Sequence, residues 1–241
     1  SYRMLELLAE VASEYAPATP RPKLLDVGCG LGGPGRFLAD RFAAAVVGID
    51  LLPLRVEIAR ELTRRTRLSR RISYRVANAT RLPFTRASFS QAWMLDVSLH
   101  IRDKRLLFSE IARVLEPGGL LVMHDQFAPI PDAMRPLAQR APLFAPTLPQ
   151  LTRQLEDAGL RVLQWRDTTP RVVEYFEHMQ AKLDAAAPPA SGNQEGQWWR
   201  AILEGYLETL AHLGGRTGLL VARKLATPTR RSRSRARAAR A

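Results

Sequence analysis

One cysteine, Cys29, stands in a chain of 241 residues. That excludes an internal disulfide framework and any cysteine-cluster metal site. Set between two glycines, it reads as a small filler rather than a nucleophile. Long apolar runs are missing too: none approaches the roughly 18 to 20 residues a membrane span needs, and no stretch resembles a secretory signal. No internal repeat is visible. These absences imply a cytoplasmic protein without membrane contact. Hydrophobic residues still make up 46%, enough for one substantial α/β core with little left for a second full domain.

Negative charge is comparatively scarce. Lys and Arg outnumber Asp and Glu by 36 to 23, a net charge of +13, which raises nucleic acid as a partner. Yet Arg230, Arg231, Arg233, Arg235, Arg237 and Arg240 all fall at the C-terminal end. The body keeps a moderate excess with no basic-aromatic stripe. The tail, 227–241, has no apolar periodicity and reads as a disordered, solvated appendage, with an RNA-binding arm as the alternative. Nucleic acid is therefore the lesser partner.

What is there is organised around residues 23–35, Lys-Leu-Leu-Asp-Val-Gly-Cys-Gly-Leu-Gly-Gly-Pro-Gly. Leu24, Leu25 and Val27 read as a buried strand that the glycines stop. Pro34 suits a first helical position, and Phe37-Leu38 starts an apolar helix face. Strand, glycine turn and helix leave backbone N–H groups aimed into a crevice where a nucleotide cofactor can lie. A second apolar strand, Ala45 to Asp50, ends in a carboxylate 20 residues beyond Gly30. At that spacing an acidic side chain can accept both ribose hydroxyls of an adenosine. No Lys-Ser/Thr pair follows the glycines, which argues against an ATP-type phosphate loop. Asp26, inside the first strand, costs desolvation unless it braces the loop amides or faces a cation. It points toward a ligand with positive charge.

The remaining chain alternates helix and strand. A helix over residues 1–15, with Leu5, Leu8, Val11 and Ala12 inward, precedes the turn. Helix Leu54–Thr66, strand Ile72–Val76, strand Ala92–Leu95, a helix capped by Asp103 with Leu106, Leu107, Ile111, Val114 and Leu115 inward, and strand Leu120–Met123 follow. Such alternation means a parallel sheet with ligands at its carboxyl edge, where Asp26, Asp50, Asn78, Asp96 and Asp125 all fall. Residues 129–149 are proline-rich and irregular, a substrate-side loop. Thr147 and Gln150 form a capping box for a helix to Ala158, and a strand spans Arg161–Trp165. Residues 172–213 insert two helices separated by 185–193, and Thr217–Ala222 closes the sheet. Their apolar stripes are Val172, Phe176, Met179 and Leu183, then Trp199, Leu203, Tyr206 and Leu210.

The stretch Leu25 to Gly32, with Asp50, Leu82-Pro83-Phe84, Asp96 to Lys104 and Glu110 to Gly119, resembles the class I S-adenosylmethionine-dependent methyltransferases. The resemblance covers roughly residues 20–226, and within the family it is nearest to phosphoethanolamine and sarcosine/dimethylglycine N-methyltransferases. It implies an α/β, Rossmann-like, seven-stranded and mostly parallel sheet flanked by helices, with a helical insertion before the last strand. Residues 18–128 would form the core that binds S-adenosylmethionine, and 129–226 would complete the sheet, the insertion roofing the substrate. Residues 1–17 would be a helix standing where relatives fold a longer lid over the cofactor. Asp26, Gly28, Gly30, Gly32, Asp50, Leu51, Asn78, Ala79 and Leu95 are the implied cofactor contacts. Asn78 replaces the usual Asp, and its side-chain oxygen could still accept from the adenine amino group.

Methyl transfer is an in-line displacement, so a protein orients the nucleophile, excludes water and can take its proton. His100 is the one histidine in a carboxyl-edge loop, and the resemblance makes it a catalytic base; otherwise it bonds a backbone carbonyl. Asp96 and Asp125 either receive a cationic amine or cap strand-end amides. His124 points away from the cleft by strand alternation, and His178 and His212 are solvated. Trp199 and Tyr206 pack a core rather than form an aromatic cage. No Asn/Asp-Pro-Pro-Tyr/Phe follows the fourth strand, and no cleft cysteine serves pyrimidine C5 chemistry. N-methylation of a small amine ranks first, and O- or C-methylation of a phenol or isoprenoid aromatic second. An RNA-associated enzyme, or a non-catalytic binder using the tail, comes last.

Overall fold

The computed structural model describes residues 6–7, 9–10, 13–14, 22–127, 143–185, 194–211 and 214–226. Its seven strands are β1 (Lys23–Val27), β2 (Ala45–Asp50), β3 (Ile72–Val76), β4 (Phe89–Leu95), β5 (Leu115–Phe127), β6 (Leu160–Asp167) and β7 (Arg216–Lys224). They form one sheet in the order β3-β2-β1-β4-β5-β7-β6. Pairing is parallel from β3 to β5, and β7 runs antiparallel to both β5 and β6. This is the Rossmann-like architecture the resemblance implied. The strand order reverses between β1 and β4, which leaves a crevice at the carboxyl ends of the strands.

Helices cover both faces. On one, Leu107, Phe108 and Ile111 of α3 (Lys104–Val114) and Leu151 and Leu155 of α4 (Leu148–Asp157) pack onto Leu25, Val27, Met94, Leu121 and Met123. On the other, Leu38 and Ala39 of α1 (Gly33–Arg41) and Val56 and Ala59 of α2 (Pro53–Arg65) meet Leu24, Val46, Trp93 and Val122. Strands buried on both faces explain why β1, β2 and β4 read as continuous apolar runs. The described N-terminal residues are helical and bury Leu7 and Ala9. The inward positions expected there, Leu5, Leu8, Val11 and Ala12, lie outside the described residues, as do the loop 128–142 and the tail 227–241.

Three differences from expectation have local causes. Strand β5 begins directly after α3 instead of at Leu120, because Leu115 already pairs with Phe89. The register then slips between Phe89 and Gln91, and Glu116–Gly119 bulges outward. Gly119 permits this, since a Cβ there would lie 2.9 Å from the carbonyl oxygens of Glu116 and Ser90. In α3, Asp103 caps as expected, accepting from the Leu106 N–H at 2.8 Å. Leu106 itself is 47% exposed, and Phe108 takes the inward place. The capping box of Thr147 and Gln150 forms as expected, with both reciprocal bonds present. Before the last strand come α5 (Thr169–Ala185) and α6 (Gln194–Ala211), joined at a 5.4 Å Phe176–Tyr206 ring contact. No helix among the described residues is long and apolar enough to cross a membrane.

The α3 face gives a clean stability contrast. Leu107→Ala should cost about 2–5 kcal/mol by the loss of a buried side chain, whereas Leu106→Ala should stay within about 0.5 kcal/mol. Urea unfolding followed by circular dichroism reads both; equal losses would contradict this packing.

Candidate active site at the carboxyl edge

The glycine turn is closed onto β2 by one carboxylate. Asp50 Oδ2 accepts the Gly30 N–H at 3.0 Å and Oδ1 accepts the Leu52 N–H at 2.9 Å. Asp50 is buried, yet each oxygen keeps a further acceptor site for an incoming hydroxyl. The glycines of the turn differ in what surrounds them. A Cβ on Gly28 would strike Val97 at 2.4 Å, and one on Gly32 would strike the Tyr74 hydroxyl at 2.3 Å. Both therefore serve close packing. A Cβ on Gly30 would meet nothing within 4 Å, so its left-handed backbone, φ 52°, borders open space. Leu31 and Leu51 stand exposed beside it.

Asp26 is fully buried beneath the turn, and its Oδ2 has no hydrogen-bond partner. Burial lifts its carboxyl to about 7, with the Gly35 N–H opposing and the Asp50 charge adding. An orphaned carboxylate oxygen and an open glycine cradle fit a ligand that is cationic at one end and carries vicinal hydroxyls at the other. S-adenosylmethionine is such a ligand. Beyond β3, the Asn78 oxygen is already committed: it accepts from both the Thr80 N–H and the Thr80 hydroxyl at 2.9 Å. This corrects the expectation that the oxygen is free for an adenine amino group, since an Asx turn uses both of its lone pairs. The amide nitrogen of Asn78 is what remains to meet a ligand. Ala79 and Leu95 are half-buried at the same edge.

The residues expected to carry chemistry separate into distinct environments. Asp96, just past β4, is 68% exposed and holds a left-handed backbone, φ 54°. His100 is exposed and ends a short helical turn, Ser98–His100, in which its N–H donates to the Val97 carbonyl at 3.0 Å. Asp125 is fully buried, its Oδ2 accepting from the Ser98 N–H at 2.7 Å and its Oδ1 from the Gln126 N–H at 2.9 Å. Burial, then the Asp96 charge, raises its carboxyl to about 6. Asp125 thus braces the His100 turn, the amide-capping alternative of the two expected for it.

His124 also departs from expectation. Alternation does put it on the opposite sheet face from Asp125, but the left-handed turn at Asp96 swings that carboxylate back to it. Its Nδ1 lies 2.9 Å from Asp96 Oδ1 and its Nε2 lies 3.0 Å from Thr168 Oγ1. Sequence pattern gave no sign of Thr168. Lys104 was visible only as part of a motif; here it is buried, with Nζ donating to the carbonyls of Ile101 and, at 2.9 Å, Phe144. Burial lowers its ammonium to about 8, against the pull of Asp125. It pins the 143–147 segment to the His100 turn. Above that turn, Tyr206 of α6 packs on the cluster of Leu99 and Leu143, as Ala145 does. Its hydroxyl is raised to about 12 by burial and by the charges of Asp96 and Asp125. The inserted helices therefore reach the carboxyl edge. Trp199 and Leu183 lie among residues whose side chains are not described. Cys29 is buried, and burial pushes its thiol up, which fits a filler. Among the described residues no cluster of three or more His, Cys, Asp or Glu could hold a metal ion.

Residues 25–123 match the methyltransferase domain family. The chain is 36% identical over 166 residues to the O-methyltransferase cnsE of Penicillium expansum, covering 67% of this chain and 59% of that one. It superposes with a TM-score of 0.84 on a Galdieria sulphuraria protein provisionally assigned as a sarcosine dimethylglycine methyltransferase, at 24% identity, covering 93% of this chain and 86% of that one. The geranyl diphosphate C-methyltransferase of Streptomyces coelicolor, solved with S-adenosyl-L-homocysteine, gives a TM-score of 0.76 at 22% identity, over 93% and 82% of the two chains. The chain spans less than two thirds of the length of the curated relatives it matches. Similar proteins include N-, O- and C-methyltransferases.

The buried Asp26 makes cofactor binding depend on pH. A cationic ligand favours its ionised form, and below about 7 that form is scarce in the free protein. Affinity for S-adenosylmethionine should therefore rise about tenfold from roughly pH 6 to 8, and Asp26→Asn should be weaker at pH 8 and flat with pH. Calorimetric titration decides; an unchanged slope in the variant would contradict the assignment.

Proposed function

The chain carries a methyltransferase domain of the class I S-adenosylmethionine-dependent family, and from that premise we propose that the protein methylates the nitrogen of a small amine metabolite. The observation that supports this reading is the exposed Asp96 carboxylate at the carboxyl edge. An anion there suits an ammonium ion. S-adenosylmethionine, when bound, supplies a methyl group on a positively charged sulfur.

The chain's own residues do the rest. Asp96 receives the amine and orients its lone pair. His100, exposed on the neighbouring turn, takes the proton that nitrogen must lose before or during attack. With the cofactor held at the glycine turn by Asp26 and Asp50, the nitrogen would gain the methyl carbon as that carbon's bond to sulfur breaks, and His100 would keep the proton. The roof helices and the Lys104-pinned segment exclude water from this step. A second reading, transfer to an oxygen or carbon of a phenol or isoprenoid aromatic, is favoured by the likeness to an O-methyltransferase over two thirds of the chain. There His100 would deprotonate the hydroxyl, and Asp96 would matter less.

A tritiated-methyl transfer screen over amines, phenols and isoprenoid aromatics separates the two. With an amine acceptor, Asp96→Ala should cut turnover by about a hundredfold, within the range for a positioned catalytic group. With a phenol, His100→Ala should carry that loss instead. No reaction slowed more than about tenfold by either variant would contradict this site.

A further inference from the structure

His124 was not expected beside Asp96, yet it meets that residue twice. The Asp96 N–H donates to the His124 carbonyl at 2.8 Å, and Asp96 Oδ1 lies 2.9 Å from His124 Nδ1. Two contacts to one residue hold a carboxylate whose backbone sits in a region that non-glycine residues avoid. The imidazole is itself fixed from behind. Its Nε2 meets Thr168 Oγ1 at 3.0 Å, and Thr168 Oγ1 meets Thr217 Oγ1 at 3.0 Å. Thr168 also starts the roof helix, since its carbonyl accepts the Val172 N–H and its own N–H bonds Thr217, both at 3.0 Å. One line of contacts thus runs from the exposed carboxylate, through a buried histidine, to the base of α5.

We propose that His124 is a positioning residue for Asp96, which it aims at the acceptor and ties to the start of the roof helix. The inference rests on the reading of Asp96 as the acceptor-facing carboxylate. A carboxylate only accepts, so the proton on Nδ1 belongs to the bond with Asp96 in either charge state. The hydroxyl pair behind allows both states. Thr168 accepts from Nε2–H while donating to Thr217 when the ring is charged, and donates to Nε2 when it is neutral. Only hydroxyl rotation separates the two, so the ring keeps its bond to Asp96 in either charge state without moving. Burial disfavours the charged ring, but the charge and hydrogen bond of Asp96, with the charge of Asp125, raise its pKa above the ordinary value. The other titratable groups around this line are Tyr206 from α6, which feels both carboxylates, Lys104 from α3, beside Asp125, and the Asp167–Arg216 pair, which precedes Thr168 and Thr217.

The test combines a double-mutant cycle with a titration. His124→Gln, which keeps an N–H donor, should perturb transfer less than His124→Ala. His124→Ala should raise the acceptor KM by about tenfold while affinity for S-adenosylmethionine, measured calorimetrically, stays within about twofold. Thr168→Val, nearly isosteric, should move the acceptor KM in the same direction and guards against a misfolded His124 variant. Combined with Asp96→Asn, His124→Ala should add nothing further. Independently of any acceptor, NMR should show the His124 ring titrating at lower pH in Asp96→Asn than in the parent protein. An unmoved titration, or losses that multiply in the double variant, overturns the inference. A lowered titration with unimpaired transfer in Asp96→Asn instead overturns the acceptor reading of Asp96 and leaves the pairing intact.

Discussion

The carboxylate of Asp50 is the contact on which the site depends. It ends β2 and reaches across to the Gly30 N–H at 3.0 Å, closing the glycine turn that ends β1. The turn could not take this shape without the constraint beside it. Val97 fills the space a Gly28 side chain would need, and Tyr74 of β3 fills that of Gly32. Three strands therefore fix one loop, and its open space lies at Gly30 and Gly33, where an added Cβ would meet nothing within 4 Å. Packing and hydrogen bonding determine where a cofactor can approach.

The same edge gathers carboxylates in contrasting states, and burial decides their work. Asp26 is buried with one oxygen unpartnered, an arrangement that costs stability unless a cation relieves it. Asp125 is buried and saturated by the Ser98 and Gln126 amides, so it shapes the turn carrying His100. Asp96 alone faces solvent, held by a buried histidine. The Asp50 charge raises Asp26 further, and the Asp96 charge raises Asp125, with His124 offsetting part of the latter. Strain at the Asp96 backbone persists because its surroundings over-determine it, as is common where a side chain must be aimed.

Much of the fold was legible because doubly covered parallel strands write themselves as apolar runs, and because caps such as Asp103 and Thr147 carry local chemistry. The spacing of Gly30 and Asp50 was legible for the same reason: both ends of one hydrogen bond sit at strand termini. Helical phase was less secure. Leu106 looks apolar and inward by composition, but the turn of the helix gives the core position to Phe108. The partners of His124 were not legible at all. Strand alternation assumes an extended backbone up to the last residue, and the positive φ of Asp96 breaks it. Thr168 and Thr217 reach the ring only through the antiparallel placement of β7 between β5 and β6. Asn78 shows the opposite failure, where the residue was placed correctly and its oxygen proved committed to a local turn.

The central claim is that one carboxyl-edge crevice, built on the Asp50–Gly30 bond, seats the cofactor beside Asp96. Amide chemical-shift mapping during titration with S-adenosylhomocysteine tests it most directly. The largest changes should fall in residues 28–33, 50–52, 78–80 and 95–98, with the Gly30 amide among them and β6 silent. Saturable binding that moves none of these amides, or no binding at millimolar ligand, would contradict the account.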